Sequence, residues 1–125
     1  MTSLEQSKLT NLKGFHPYTS IKLIDDTYIF MKDAKVGDTL EDGSIIKSIF
    51  QNPNKGYKTF YTIKNGGIHI FIMGEHNVFN NSIKEFVKVK DYIGAGPTVI
   101  TYDTICGILT DTGYLRIGTE IFKDW

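Results

Sequence analysis

The 125-residue sequence has a single cysteine, Cys106, and no excess charge of either sign, since fourteen basic residues balance fourteen acidic ones. One cysteine cannot form an internal disulfide, nor a zinc site by itself. A balanced charge creates no field that favours nucleic acid or an acidic membrane surface. No apolar run approaches the roughly 20 residues needed to span a bilayer, and residues 1–13 lack the regions of a signal peptide. We therefore expect a monomeric, intracellular protein that binds no cofactor, nucleic acid or membrane.

The residue types that are abundant favour β-structure. Eight Phe, seven Tyr and twelve Gly indicate strands separated by turns, and after residue 13 no apolar pattern of helical period continues over ten residues. The clearest hairpin signal is Asn65-Gly66-Gly67, between two runs of β-branched and aromatic residues. We predict a loop over residues 91–98. The predicted strands cover residues 21–24, 28–31, 39–40, 45–50, 58–64, 68–73, 86–88, 99–102, 105–110 and 114–117.

Two longer motifs carry more information than the individual strands. The first is GFHPYTSIKLIDDTYIFMKDAKVGD, residues 14–38, and the second opens with Met73-Gly-Glu-His76 and closes at residues 86–91 with FVKVKD. Together they resemble motifs of the Hint domains, the family of inteins, hedgehog autoprocessing domains and related phage modules. That family opens with Cys-Phe-x-x-x-Thr and later carries Thr-x-x-His at a strand end. The chain matches it at Phe15, Thr19 and His76, but has Gly14 where the family has cysteine and Met73 where it has threonine.

The resemblance implies a fold and a division of the chain. Hint domains are compact, all-β and horseshoe-like, with many short strands in pseudo-two-fold subdomains. The corresponding domain here covers residues 14–125. Residues 1–13 then form an upstream flank, either a flexible leader or a short helix capped over residues 2–5. The partner implied is this flanking polypeptide itself.

The resemblance also implies a reaction at the peptide bond before residue 14. In the family the first residue attacks the preceding carbonyl, the threonine polarises the amide and the histidine acts as general acid. These roles fall on Gly14, Met73 and His76. Imidazole suits proton transfer near neutral pH, although a lone histidine at a strand end is more often structural. Glycine has no nucleophile, so we expect this form to be inactive or trapped before the first acyl shift.

Three further residues are candidates for chemistry. Some inteins use an internal cysteine in a late strand, and this motif could place either Cys106 or Gly107 at that position. A single cysteine in an apolar strand is, however, usually a small buried hydrophobe. The sequence lacks a terminal His-Asn pair, and in domains without it Asp103 or Asp124 could act as a base, although both are equally explained as solvated residues. The alternative function is a non-catalytic, β-rich binding or structural module that keeps the fold.

Overall fold

The computed structural model describes residues 12–125, so the helix considered over residues 2–5 and most of the predicted leader lie outside the described residues. Within that range the chain is all-β, as predicted, with eleven strands, two 3-10 helices and no α-helix. The 3-10 helices cover Met31–Asp33 and Val89–Asp91. The strands are β1 (Ser20–Lys22), β2 (Tyr28–Phe30), β3 (Ile46–Pro53), β4 (Tyr61–Asn65), β5 (Ile68–Ile72), β6 (Asn77–Asn80), β7 (Glu85–Lys88), β8 (Ala95–Pro97), β9 (Thr104–Thr110), β10 (Tyr114–Ile117) and β11 (Glu120–Lys123).

The described strands form small antiparallel sheets. Their orders are β1-β2, β10-β11-β6-β7, β3-β9 and β5-β4-β8. The longest pairing joins β3 to β9, with Ile46 opposite Thr110 and Pro53 opposite Thr104. The hairpin predicted from the Asn-Gly-Gly sequence joins β4 to β5. Gly66 and Gly67 both have positive φ, 56° and 85°, which is the combination that a type I′ turn requires.

One order of elements occurs twice along the chain. It runs through a short hairpin, a 3-10 helix, a long strand and a second hairpin, first in β1–β5 and again in β6–β11, where the short strand β8 is inserted between the 3-10 helix and the long strand. Both 3-10 helices contain Lys-Asp, and matching hydrogen bonds hold them. Lys32 N–H donates to the Pro17 carbonyl and Lys90 N–H to the Gly74 carbonyl, each at 3.0 Å. Because the two long strands, β3 and β9, pair with each other, the two halves interlock.

The segment after Asp91 differs from the prediction. The loop predicted over residues 91–98 contains β8, an edge strand that pairs with β4 and that tolerates Pro97 because an edge leaves one side unbonded. The strand predicted over residues 99–102 does not form. Instead the hydroxyl of Thr98 donates to the Phe60 carbonyl at 2.6 Å and Phe60 N–H donates to the Ile100 carbonyl at 2.9 Å. These bonds hold residues 98 and 100 to Phe60, and Val99 between them is 92% exposed.

Two smaller differences concern short strands. The strand predicted over residues 39–40 is reduced to isolated bridges, Leu23 with Leu40 and Thr39 with Ile45. Strand β6 is absent from the predicted strands, because the asparagines at its two ends are typical of turns. It pairs with β7 along its whole length and with β11 at Val78.

The start of the domain lies in the main hydrophobic core. Phe15 is fully buried and forms antiparallel bridges with both Ile72 and Cys106. Residues 14–16 therefore lie as an inserted strand between the end of β5 and β9. Within residues 12–125 no helix is long and apolar enough to cross a bilayer.

Candidate active site at the bond before Gly14

The backbone around Gly14 is fixed on both sides by hydrogen bonds. Phe15 N–H donates to the Cys106 carbonyl and Cys106 N–H donates to the Phe15 carbonyl, both at 2.8 Å. Met73 N–H donates to the Gly14 carbonyl at 2.9 Å. We call the Lys13–Gly14 peptide bond the junction. Because its neighbours are held in a ladder, the junction has one defined position relative to β5 and β9.

The side chain that reaches the junction is His76. Its Nδ1 accepts a hydrogen bond from Gly14 N–H at 3.0 Å. Because Nδ1 is the acceptor here, the ring proton lies on Nε2, which donates to the Lys123 carbonyl at 2.6 Å. The imidazole is fully buried, and its centroid lies 5.0 Å from the ring of Phe15. His76 thus bridges the nitrogen of the junction and the end of β11.

Burial makes His76 a neutral base. Loss of hydration lowers the pKa of its imidazole to about 4, because the buried site disfavours the charged form. The hydrogen bond to the Lys123 carbonyl and the charge of Asp124 oppose this effect, while the positive charge of Lys13 adds to it. At neutral pH the ring therefore presents an unprotonated Nδ1 to the amide nitrogen.

Gly14 has a backbone conformation that excludes a side chain. Its φ is 120°, in the region that residues with a Cβ rarely adopt. A Cβ added there would lie 2.5 Å from Cγ2 of Ile105 and 2.7 Å from the Cys106 carbonyl oxygen. Both distances are shorter than van der Waals contact, so Ile105 fills the space that a nucleophilic side chain at position 14 would need.

Met73 contacts the junction through its backbone. Its N–H binds the Gly14 carbonyl, and its own carbonyl accepts from His76 N–H at 3.1 Å. The buried Met73 side chain belongs to an apolar cluster with Phe60 and Ile105. The structure therefore brings Met73 to the junction, but with a thioether in place of a hydroxyl donor.

Cys106 is also brought to the junction, and again the backbone makes the contact. The thiol is buried in the main core, whereas the preceding Ile105 packs in the cluster that contains Met73. Burial raises the pKa of the Cys106 thiol to about 11, with a smaller raising effect from Asp33. The thiol is therefore protonated at neutral pH, which disfavours attack.

The two aspartates that are candidates for a catalytic base, Asp103 and Asp124, lie in different places. Asp124 is close enough for its charge to act on His76, but its Oδ2 already accepts from Thr110 N–H at 3.0 Å. Asp103 is exposed, and its backbone carbonyl accepts from Asn54 N–H at 2.8 Å. No contact joins Asp103 to the imidazole in the described structure. The arrangement therefore unites Gly14, Met73 and His76, with Asp124 nearby and Asp103 apart.

Two contributors to the site are absent from the sequence-based candidates. Ile105 is a strand residue whose only signal is its position beside Cys106, and its contact with Gly14 follows from the tertiary structure. Lys123 contributes a backbone carbonyl, which no side-chain pattern can indicate. Among residues 12–125, no group of three His, Cys, Asp or Glu residues is placed to hold a metal ion.

Comparisons with known proteins identify the fold. No protein-family model matches the sequence, and no curated protein matches it. The solved structure of the DnaB intein from Synechocystis sp. PCC 6803 superposes with a TM-score of 0.66 at 8% identity, over 90% of this chain and 99% of that one. The gp41-1 intein gives 0.66 at 10% identity, over 89% and 98%. A mutant of an Ssp DnaB mini-intein variant gives 0.62 at 9% identity, over 90% and 99%.

These structures cover nearly the whole of both chains, so the likeness concerns the complete fold. The expected fold is confirmed: the chain has the all-β Hint fold seen in these intein structures. At these identities the likeness establishes the fold alone, and the chemistry has to be argued from the junction.

Proposed function

We propose that this chain is an intein-like autoprocessing domain whose reactive position is the Lys13–Gly14 bond, and that the present sequence holds this bond uncleaved. The observation that carries the proposal is the hydrogen bond from Gly14 N–H to Nδ1 of His76. A buried, neutral imidazole whose Nδ1 contacts the nitrogen of a single peptide bond can take a proton from a nucleophile beside it and pass that proton to the nitrogen as it leaves. Residues 1–13 are the upstream polypeptide on which the domain acts.

The reaction requires a nucleophile that Gly14 lacks. With a thiol at position 14, Sγ would attack the Lys13 carbonyl carbon and form a C–S bond. The C–N bond of the junction would break, and the thiol proton would pass through His76 to the released nitrogen. The product is a thioester between residues 13 and 14, with the free amine on residue 14. In the present chain this step cannot begin, and His76 binds the amide without reaction.

A specific observation favours the second candidate, a non-catalytic module. The positive φ of Gly14 and the close approach of Ile105 indicate a junction adapted to glycine. Such adaptation is expected if the fold is used to hold a polypeptide and no longer to cut it. The two candidates share the fold and the amide contact, and they differ in whether chemistry returns with the nucleophile.

The test is the intact mass of Gly14→Cys and of Gly14→Cys/Ile105→Ala during incubation with dithiothreitol. The second variant removes the nearer of the two groups that meet Cβ at position 14, the Cγ2 methyl group of Ile105, and leaves the Cys106 carbonyl oxygen. We expect loss of residues 1–13 from the double variant, because dithiothreitol captures the thioester. Gly14→Ala/Ile105→Ala is the matched control, since it makes the same space without a thiol. Full-length protein in every sample would contradict autoprocessing and favour the non-catalytic module.

A further inference from the structure

The residue two positions before Gly14 lies against an apolar surface. Leu12 is half-buried and packs on a cluster whose buried members are Phe60, Met73 and Ile105. Phe71 and Tyr102 border the same cluster. Its members come from β5, β9 and the segments beside them, so several parts of the domain meet at one side chain of the upstream polypeptide.

The cluster lies beside the junction and apart from the main core. Phe60 and Ile105 are at most 1% exposed and Met73 is 3% exposed, so a side chain seated on them loses contact with water. Met73 binds the Gly14 carbonyl through its N–H, and Ile105 approaches the position of a Cβ on Gly14. The same two residues thus contact the junction and belong to the cluster on which Leu12 packs.

We infer that Phe60, Met73 and Ile105 form a binding site for an apolar side chain at position 12, which clamps the upstream polypeptide into the junction. The inference rests on the proposed function only in taking Lys13–Gly14 as the junction. Its ligand is the upstream segment of the same chain, with an apolar residue at position 12. Such a residue gains free energy by leaving water, whereas a charged residue there would be desolvated without a partner.

The site gives a role to Met73, one of the two departures from the family pattern. Its thioether is a poor group for activating an amide, but it is a good wall for an apolar pocket, to which Ile105 adds a branched aliphatic side chain. Met73 therefore contributes to holding the upstream segment. The amide contact to His76 fixes the backbone, and the pocket fixes the side chain.

Trypsin offers a direct measurement, because the junction is a Lys-Gly bond. A second Lys-Gly bond, Lys55–Gly56, lies in an exposed turn and serves as an internal reference. The measured quantity is the cleavage rate at Lys13–Gly14 divided by the cleavage rate at Lys55–Gly56. Both rates are followed by mass spectrometry on the full chain. Cleavage at the junction requires local opening, so its rate reports how firmly the segment is held. Global unfolding would instead accelerate both cuts.

We expect the junction of the unsubstituted protein to be cut more slowly than the reference bond. Leu12→Asp should raise the ratio about tenfold, because it removes the partial burial of a leucine side chain. Leu12→Met keeps an apolar side chain of similar volume and should leave the ratio within about twofold. Val99→Asp makes the same kind of change at a position that is 92% exposed and should have no effect.

An unchanged ratio in Leu12→Asp would overturn the binding site. So would an equal rise in Leu12→Met, because the apolar character of position 12 would then be irrelevant. These outcomes are separate from those of the thiol assay. If the trypsin test contradicts the binding site for position 12, the thiol assay still tests autoprocessing independently. If the trypsin test supports the binding site, the domain can still prove unable to cleave the junction.

Discussion

Replacing Gly14 by alanine should destabilise the protein strongly, although the change adds only one methyl group. The backbone strain of a side chain at a φ of 120° costs on the order of 1–3 kcal/mol. The contacts at 2.5 Å with Ile105 and 2.7 Å with the Cys106 carbonyl add an overpacking cost of about 1–3 kcal/mol. We therefore expect the free energy of unfolding to fall by about 2–6 kcal/mol in Gly14→Ala.

The structure supplies a control for the part of the destabilisation that comes from backbone strain at positive φ. Gly43 also has a positive φ, 88°, but a Cβ there would meet no atom within 4 Å. Gly43→Ala should therefore show the strain without the contact. The difference between the two alanine variants, measured by urea unfolding monitored at the single tryptophan and by circular dichroism, isolates the steric cost at the junction.

A double-mutant cycle measures the share of that cost that comes from Ile105, as distinct from the Cys106 carbonyl. Ile105→Ala alone should cost about 2–5 kcal/mol, because it leaves a cavity in a buried position. Combined with Gly14→Ala, it should cost less than the sum of the single changes by about 1–2 kcal/mol, since the new methyl group enters the space vacated. Equal stabilities of Gly14→Ala and Gly43→Ala, or strict additivity in the cycle, would refute the close approach of Ile105.

Two further predictions concern the buried titratable groups. The pKa of His76 is about 4 in the folded protein, against the ordinary value of 6.5 that applies to the unfolded chain, so the unfolded chain binds the extra proton between these values. Protonation of His76 should therefore leave the free energy of unfolding unchanged above pH 6.5. As the pH falls from 6.5 to about 4, it should lower the free energy of unfolding progressively, by about 3 kcal/mol in all. Urea unfolding at several pH values tests this, and a His76→Gln variant with the same pH dependence would show that other groups are responsible. The Cys106 thiol, whose pKa is raised to about 11, should react with iodoacetamide at about pH 8 at least about a hundredfold more slowly in the folded than in the unfolded protein. Rapid modification of the folded protein would instead show an accessible, reactive thiol.

The sequence carries much of the fold because its local signals agree. Runs of β-branched and aromatic residues separated by glycine turns predict the strands, and the Asn-Gly-Gly sequence fixes the hairpin β4–β5. The failure over residues 91–102 has a tertiary cause. The apolar run at Val99 and Ile100 resembles a strand, but Thr98 and Ile100 both bond to the single residue Phe60, so no regular strand forms.

The internal repeat leaves a trace that a search for long periods does not detect. The two 3-10 helices share only Lys-Asp, because hydrogen bonds of the backbone define the repeated geometry and constrain few side chains. Equivalent elements can therefore diverge in sequence while the strand order persists.

The candidate site could be predicted in part. The motif indicates His76 and residue 14 as candidates, and Nδ1 of His76 accepts a hydrogen bond from Gly14 N–H; the role of His76 as general acid stays a prediction. The state of the site could not be predicted, because the positive φ of Gly14, the approach of Ile105 and the Lys123 carbonyl depend on how distant strands meet. A pattern of residue types does not specify such distances.

The proposed function depends above all on His76 being able to release the nitrogen of residue 14 once a nucleophile is present. The decisive quantity is the rate of thiol-dependent mass loss in Gly14→Cys/Ile105→Ala, compared with the same variant carrying His76→Gln. We expect loss of residues 1–13 when His76 is present and a rate at least about a hundredfold lower with glutamine. Equal rates in the two proteins, or no mass loss while both remain folded, would show that His76 does not have this role.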